Sequence, residues 1–298
     1  MLDIKKLRTI LPTTLLLLVH AVSVFCAPVG NIGDPAIWKD GLFTEAGSFS
    51  VFISAEYDSQ DNTLAPQQRR IMWDDPRTAV EEVRHYEQIR SSKSTITSTG
   101  ARLGVVISDY CTLYAISGVC DTDLTFYHTD TTMSFGFEID NDFSSKSDLY
   151  YGFGTTVLLH RGTFNDIPLA LGMDLKYRRF DFEDDRLTSD GLFYSATLDE
   201  IQLAIMLSAD AGLFHPYAGA RISSITGKEQ YINKFLNEYI QSSWYPDGDI
   251  NYKDDITWSK NLGFLAGVSV HLLETFSLNV ESRFGDEEGL GFSATVKF

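Results

Sequence analysis

Ten charged residues sit where they could shape the field of a water-filled passage: Glu56, Arg102, Glu138, Asp174, Lys176, Arg178, Arg221, Glu281, Arg283 and Lys297. Each falls on the polar side of a stretch that alternates apolar and polar residues. Charges so placed would set the width and field of a pore, which is work for electrostatics and sterics rather than bond-making. Residues for covalent chemistry are not arranged for it. The chain has no Gly-x-Ser-x-Gly, no Walker loop and no dinucleotide fingerprint. Its six histidines are scattered, with His160, His215 and His271 each near one end of a strand candidate. The acidic runs Asp181, Glu183, Asp184, Asp185 and Asp254, Asp255 either offer oxygens to calcium or form solvated loop faces. No metal site and no cofactor is expected. A barrel protease or lipase assembled from distant loops is the enzymatic alternative, but the chain reads as non-enzymatic.

Strands must hold those charges, and the period of two supplies them. At the C-terminus Leu290, Phe292, Ala294, Val296 and Phe298 oppose Gly291, Ser293, Thr295 and Lys297. Before them, Phe276, Leu278, Val280, Ser282 and Phe284 oppose Ser277, Asn279, Glu281 and Arg283. Leu169 to Tyr177 alternates around Asp174, Lys176 and Arg178, and Phe49 to Tyr57 around Glu56. Met133, Phe135, Phe137 and Ile139 oppose Glu138 and Asp140. A half-buried strand of a secreted β-sandwich would alternate in the same way. Two features favour a membrane barrel: the polar faces are rich in Gly, Ser and charge, and aromatics cluster at strand ends. Tyr150, Tyr151, Phe180, Phe182, Phe193, Tyr194 and Trp258 are read as girdles at the lipid–water boundary.

The strand candidates are 47–57, 96–108, 111–127, 132–140, 148–160, 167–181, 192–208, 213–225, 257–272, 275–285 and 289–298. A closed barrel with both ends on one side needs an even number. The spacing therefore predicts an all-β transmembrane antiparallel barrel of about 12 strands, with 10, 14 or 16 as alternatives. Turns at 164–166, 209–211 and 273–275 fall on the periplasmic side, and the polar segments 181–191 and 226–256 outside. Two segments break the strand pattern. Residues 76–90 follow an Asp74-Asp75-Pro76 helix-start signal. Residues 229–241 carry Tyr231, Phe235 and Tyr239 at intervals of four. Each is read as a short loop helix or an irregular loop.

The 298 residues hold 24 Lys and Arg against 41 Asp and Glu, a net charge of −17. An acidic chain without a basic stripe is a poor nucleic-acid binder. At 44% hydrophobic and 13% aromatic it carries too much apolar material to be disordered. The N-terminus has a basic stretch (Lys5, Lys6, Arg8), an apolar run from Ile10 to Phe25 and small residues at Cys26 and Ala27, the form of a signal peptide. Residues 1–26 are thus predicted to be removed. Without Asp3 and the three basic residues the mature chain, 27–298, carries 21 basic and 40 acidic residues, a net −19. It reads as one domain in the outer membrane. Its partners would be outer-membrane lipids, the barrel-assembly machinery, and small solutes and ions, with a homo-oligomer left open. Phe298, apolar and terminal, is the expected assembly signal. Cys111 and Cys120 lie nine residues apart, ~30 Å along an extended strand, while a disulfide needs Cα atoms within about 7 Å. They also point to opposite faces. Separate thiols or an intermolecular bridge are expected, unless Ser117-Gly118 forms a hairpin.

The stretch Ala27-Pro28-Val29-Gly30-Asn31-Ile32-Gly33-Asp34-Pro35, followed by Asp40-Gly41, resembles the mature start of the chlamydial major outer-membrane porin family. Gly104 to Thr112, Gln202 to Ser224 around Phe214-His215-Pro216-Tyr217-Ala218-Gly219, and Gly263 to Phe298 are similar to strands of that family in the same order. The resemblance touches about a third of the mature chain and rests on order rather than on any one motif. It implies a porin for passive diffusion of small hydrophilic solutes and ions. A non-conducting structural or adhesive barrel is the alternative.

Overall fold

The computed structural model describes residue 31 and residues 50–64, 67–75, 80–108, 110–129, 138–184, 192–233, 250–257, 262–273 and 275–298. Residues 1–26, the expected signal peptide, lie outside them. Twelve strands form among the described residues: β1 Ser50–Leu64, β2 Gln67–Asp75, β3 Val80–Ser108, β4 Cys111–Thr129, β5 Glu138–Phe164, β6 Ile167–Asp184, β7 Leu192–Ala209, β8 Phe214–Asn233, β9 Ile250–Thr257, β10 Leu262–Leu273, β11 Phe276–Phe284 and β12 Glu288–Lys297.

Ten of the twelve close the barrel. The antiparallel order β1-β12-β11-β10-β8-β7-β6-β5-β4-β3 returns to β1 through a β1–β3 pairing. β2 and β9 add no further stave. β2 pairs with β3 in the register in which β1 does, with Thr63 opposite Lys93 and Gln67 opposite Ile89. It is therefore the upper half of the first stave. β9 likewise continues β10 along β8. Above the short β11–β12 hairpin these two upper halves pair with each other, Ile71 to Trp73 against Tyr252 to Ile250. The wall thus has ten strands below and eight above.

The apolar sign of the wall inverts along the long strands. Below, large apolar residues face out: Leu175 on β6, Ile201, Leu203, Ile205 and Leu207 on β7, Phe264 on β10 and Phe284 on β11 are 36–55% exposed. In water this belt would be unfavourable; against lipid it is the anchor. Outward residues on β6 run from Leu169 to Tyr177, about 26 Å at 3.3 Å per residue. Allowing for strand tilt, that suits a band about 25 Å tall. The next outward residues are Arg179 and Asp181. Above that line the apolar residues point inward. Tyr150, Phe180, Phe182, Leu198 and Ile225 are at most 3% exposed and form one core. Tyr150 stacks on Phe180 at 5.6 Å, and Phe180 on Phe182 at 6.0 Å.

This inversion corrects the girdle expectation. Tyr150, Phe180 and Phe182 are core residues of an extracellular extension, and of the expected belt Tyr151 faces outward, 50% exposed. The side chains of Phe193, Tyr194 and Trp258 lie outside the described ones. The short helix or irregular loop expected at 76–90 is also corrected, within the described residues 80–90. From Val80 onward the chain is strand β3, because β2 and, from Gln88, β4 supply the hydrogen bonds that a helix would make internally. In the second such segment, 229–241, residues 229–232 pair with β9. A spacing of four residues is even, so it marks one face of a strand as well as of a helix; 234–241 lies outside the described residues. Of the candidate strand 132–140, Glu138 to Asp140 begin β5, and 132–137 lies outside the described residues.

Asn165 and Asp166, with φ of 48° and 64°, close the tight β5–β6 turn. Both occupy the left-handed region that such hairpin turns require and that Asn and Asp tolerate.

Candidate functional site

Alternation places charges inside, and barrel closure decides what they meet. Glu56, Arg102, Asp174, Lys176, Arg178, Arg221, Glu281 and Arg283 all point into the lumen and are at most 7% exposed. Lys297 shares that inward phase at the periplasmic end, opposite Phe52. Glu138 does not belong with them. It opens β5 opposite Thr129, twelve residues before Tyr150, high in the extracellular extension.

At the level of the upper lipid boundary the lumen is crossed by alternating charges. Glu200 of β7 lies 2.5 Å from Arg178 of β6. Arg178 reaches Asp58 of β1, on the far side of the ring, at 2.8 Å. Arg283 of β11 pairs with the same carboxylate. Arg283 also lies 3.1 Å from Glu287, Glu287 lies 2.7 Å from Arg221 of β8, and Arg221 lies 2.7 Å from Asp286. The side chains in these pairs are 0–1% exposed. Since β8 adjoins β7, the chain of seven charges runs round the lumen cross-section. Asp286 and Glu287 come from the β11–β12 turn, whose tip folds inward. Gly285 adopts φ 106° there, and a side chain at Gly263 would strike Asp286.

A second polar tier lies below. Arg102 pairs with Glu56 at 2.6 Å and lies 4.4 Å above the Tyr114 ring. The Tyr114 hydroxyl donates to Asp174 at 2.8 Å, as does Thr156. The Tyr217 hydroxyl donates to Glu281 at 2.9 Å. Inward glycines make room for these rings: Gly154 lies against Tyr114 and Gly267 against Tyr217. Lys176, opposite Gln202, is fully buried, and its Nζ has no hydrogen-bond partner among the described residues.

Eight of the ten expected pore-lining residues thus point into the lumen and are buried there. Sequence reasoning missed Asp58, Glu200, Asp286 and Glu287. Asp58 and Glu200 continue the inward phase of their strands and were legible in that phase. The tip residues carried no such signal, because a turn has no alternation.

Of the three histidines, two meet. The rings of His215 and His271 are 4.2 Å apart, with Asp210 3.7 Å from His215 Nδ1. His160 is exposed. Asn31 is buried there and donates to the His215 carbonyl at 3.0 Å. Cys111 and Cys120 lie on opposite faces of unbroken β4, so no hairpin joins them. Cys120 is 1% exposed inside the barrel, which leaves Cys111 as the outward thiol for any intermolecular bridge. Among the described residues no cluster of three His, Cys, Asp or Glu could hold a metal ion.

The closed antiparallel ring, the outward apolar belt and the charged interior define a transmembrane β-barrel of the outer-membrane kind. No family model and no curated protein matches the chain. Solved structures similar to it include the outer membrane protease OmpT from Escherichia coli, at 10% identity over 85% of this chain and 96% of that one, with a TM-score of 0.46. Another is the outer membrane protein OprG from Pseudomonas aeruginosa, at 12% identity over 84% and 96%, with a TM-score of 0.39. A third is the transport unit of the autotransporter AIDA-I from Escherichia coli, at 10% identity over 87% and 91%, with a TM-score of 0.31. These likenesses concern barrel architecture and assign no residue a role.

Proposed function

We propose that the protein is an outer-membrane barrel sealed at rest, a non-enzymatic structural or adhesive barrel that presents a tall extracellular sheet. The observation that carries this reading is the Arg178–Asp58 ion pair, which joins opposite walls at 2.8 Å with both side chains 1% exposed. A pair so enclosed obstructs the lumen at that level, and free diffusion needs a continuous aqueous path. The strands support a surface role. β3 has 29 residues and β5 has 27, where a membrane-spanning strand needs about 10. The outward Arg179 and Asp181 mark where the excess length begins.

A diffusion porin, the role that the resemblance to chlamydial porins implies, is the second reading. It would require the ion pairs to part and the apolar core above them to be bypassed. Recording from the purified barrel in planar bilayers separates the two. The sealed barrel shows no sustained conductance steps; steady ohmic steps from the wild-type protein would refute it.

A further inference from the structure

Glycines flank the acidic β11–β12 tip, Gly285-Asp286-Glu287-Glu288-Gly289. Its first two carboxylates are bound as a ligand would be. Asp286 Oδ2 accepts from Arg221 Nε at 2.9 Å, from Arg221 Nη2 at 2.7 Å and from Ser223 Oγ at 2.8 Å. Glu287 lies between Arg221, at 2.7 Å, and Arg283, at 3.1 Å. Arg221 and Arg283 side chains are 0% exposed, and each belongs to a rigid strand. The guanidinium fork is suited to carboxylate and phosphate oxygens alike.

We propose that Arg221, Arg283 and Ser223 form a binding site for a compact dianion, a small dicarboxylate or a phosphate, and that the Asp286–Glu287 tip is a tethered occupant which such an anion displaces. The inference rests on the sealed-barrel reading, because the tip supplies part of the seal. Charge balance supports it. With the tip in place, four carboxylates (Asp58, Glu200, Asp286, Glu287) face three guanidiniums (Arg178, Arg221, Arg283). With the tip withdrawn, two carboxylates face three guanidiniums, and a dianion restores the original balance. The hairpin is the lowest part of the wall, and above it the β2–β9 ladder spans Ile71 to Trp73. Among the described residues no ladder pair joins 67–70 to 253–257, so the wall over the tip is not knitted by backbone bonds.

Calorimetric titration of the full-length refolded barrel at low salt tests this, with succinate and inorganic phosphate as separate probes. Asp286→Asn/Glu287→Gln removes the competing charges and should bind at least one probe about tenfold more tightly than wild type. Adding Arg221→Gln should abolish that gain. Uptake of succinate alone assigns a dicarboxylate site, and of phosphate alone a phosphate site. A folded double variant that takes up neither, or binds equally without Arg221, overturns the proposal. A spin label at Glu288→Cys, in a Cys26→Ser/Cys111→Ser/Cys120→Ser background, gives an answer even where the double variant fails to fold. At least one probe should mobilise the label while Asp286 and Glu287 remain native, and a spectrum unchanged by both counts against displacement. Conductance of the wild-type barrel bears on the seal and not on this site, so the two readings fail separately.

Discussion

Arg178 on β6 and Asp58 on β1 stand on opposite walls of the barrel and meet at 2.8 Å in its centre. Arg178 also holds Glu200, and Asp58 also holds Arg283. A buried ion pair gains little over apolar packing, because desolvation consumes most of the Coulomb energy. Breaking one side of it is different, because the other charge is then stranded.

Asp58→Asn should be among the most damaging conservative changes in the lumen. It leaves Arg178 and Arg283 without their shared acceptor, at a cost of ~3–5 kcal/mol. The urea midpoint of the refolded barrel should fall, and a second change, Arg178→Gln, should recover part of the loss. An unchanged midpoint for Asp58→Asn would mean the pair contributes nothing to stability.

The two faces of a strand should respond oppositely to charge. Val280 is 38% exposed toward lipid, and Leu171 shares the outward phase of β6. Arg at either position should block insertion, at ~2–4 kcal/mol near the midplane. Lys176→Met, on the inward face, should insert normally and be neutral or stabilising, because the buried ammonium has no hydrogen-bond partner to lose. Folding yields in lipid vesicles compare the two sets, and equal yields would overturn the assigned faces.

Phe298 is 71% exposed, and its amide donates to Val51 at 2.8 Å, joining the chain's end to the first strand. Deleting it should leave exported protein in the periplasm, without the heat-modifiable band of a closed barrel. Normal membrane insertion of the truncated chain would remove Phe298 as an assembly signal.

The two thiols should differ in reactivity. Cys111 faces outward at the periplasmic end, and Cys120 is buried in the lumen. A lipid-soluble maleimide should label Cys111 in the folded barrel and reach Cys120 only after unfolding. Mass spectrometry of the labelled peptides shows which thiol reacted; labelling of folded Cys120 would mean the upper lumen opens.

The sequence by itself determined which residues share a face, because a period of two is a local property of extended backbone. The inward placement of Asp174, Lys176 and Arg178, and of Glu281 and Arg283, was legible for that reason. It also determined the even, membrane-spanning ring, through the alternating C-terminal strands. It misled where the solvent changes. Along β6 the apolar residues sit on one phase through Tyr177 and on the other at Phe180 and Phe182, because lipid rewards an apolar exterior and water an apolar interior. Read with one rule throughout, Tyr150 and Phe180 look like a girdle. What only the tertiary structure decided is contact across the lumen. Asp58 and Arg178 are 120 residues apart, and no local pattern says that a ten-strand ring is narrow enough for them to touch. The burial of Asp286 and Glu287 is likewise tertiary, since a short acidic turn reads as solvated until Arg221 and Arg283 are found inside the wall beside it.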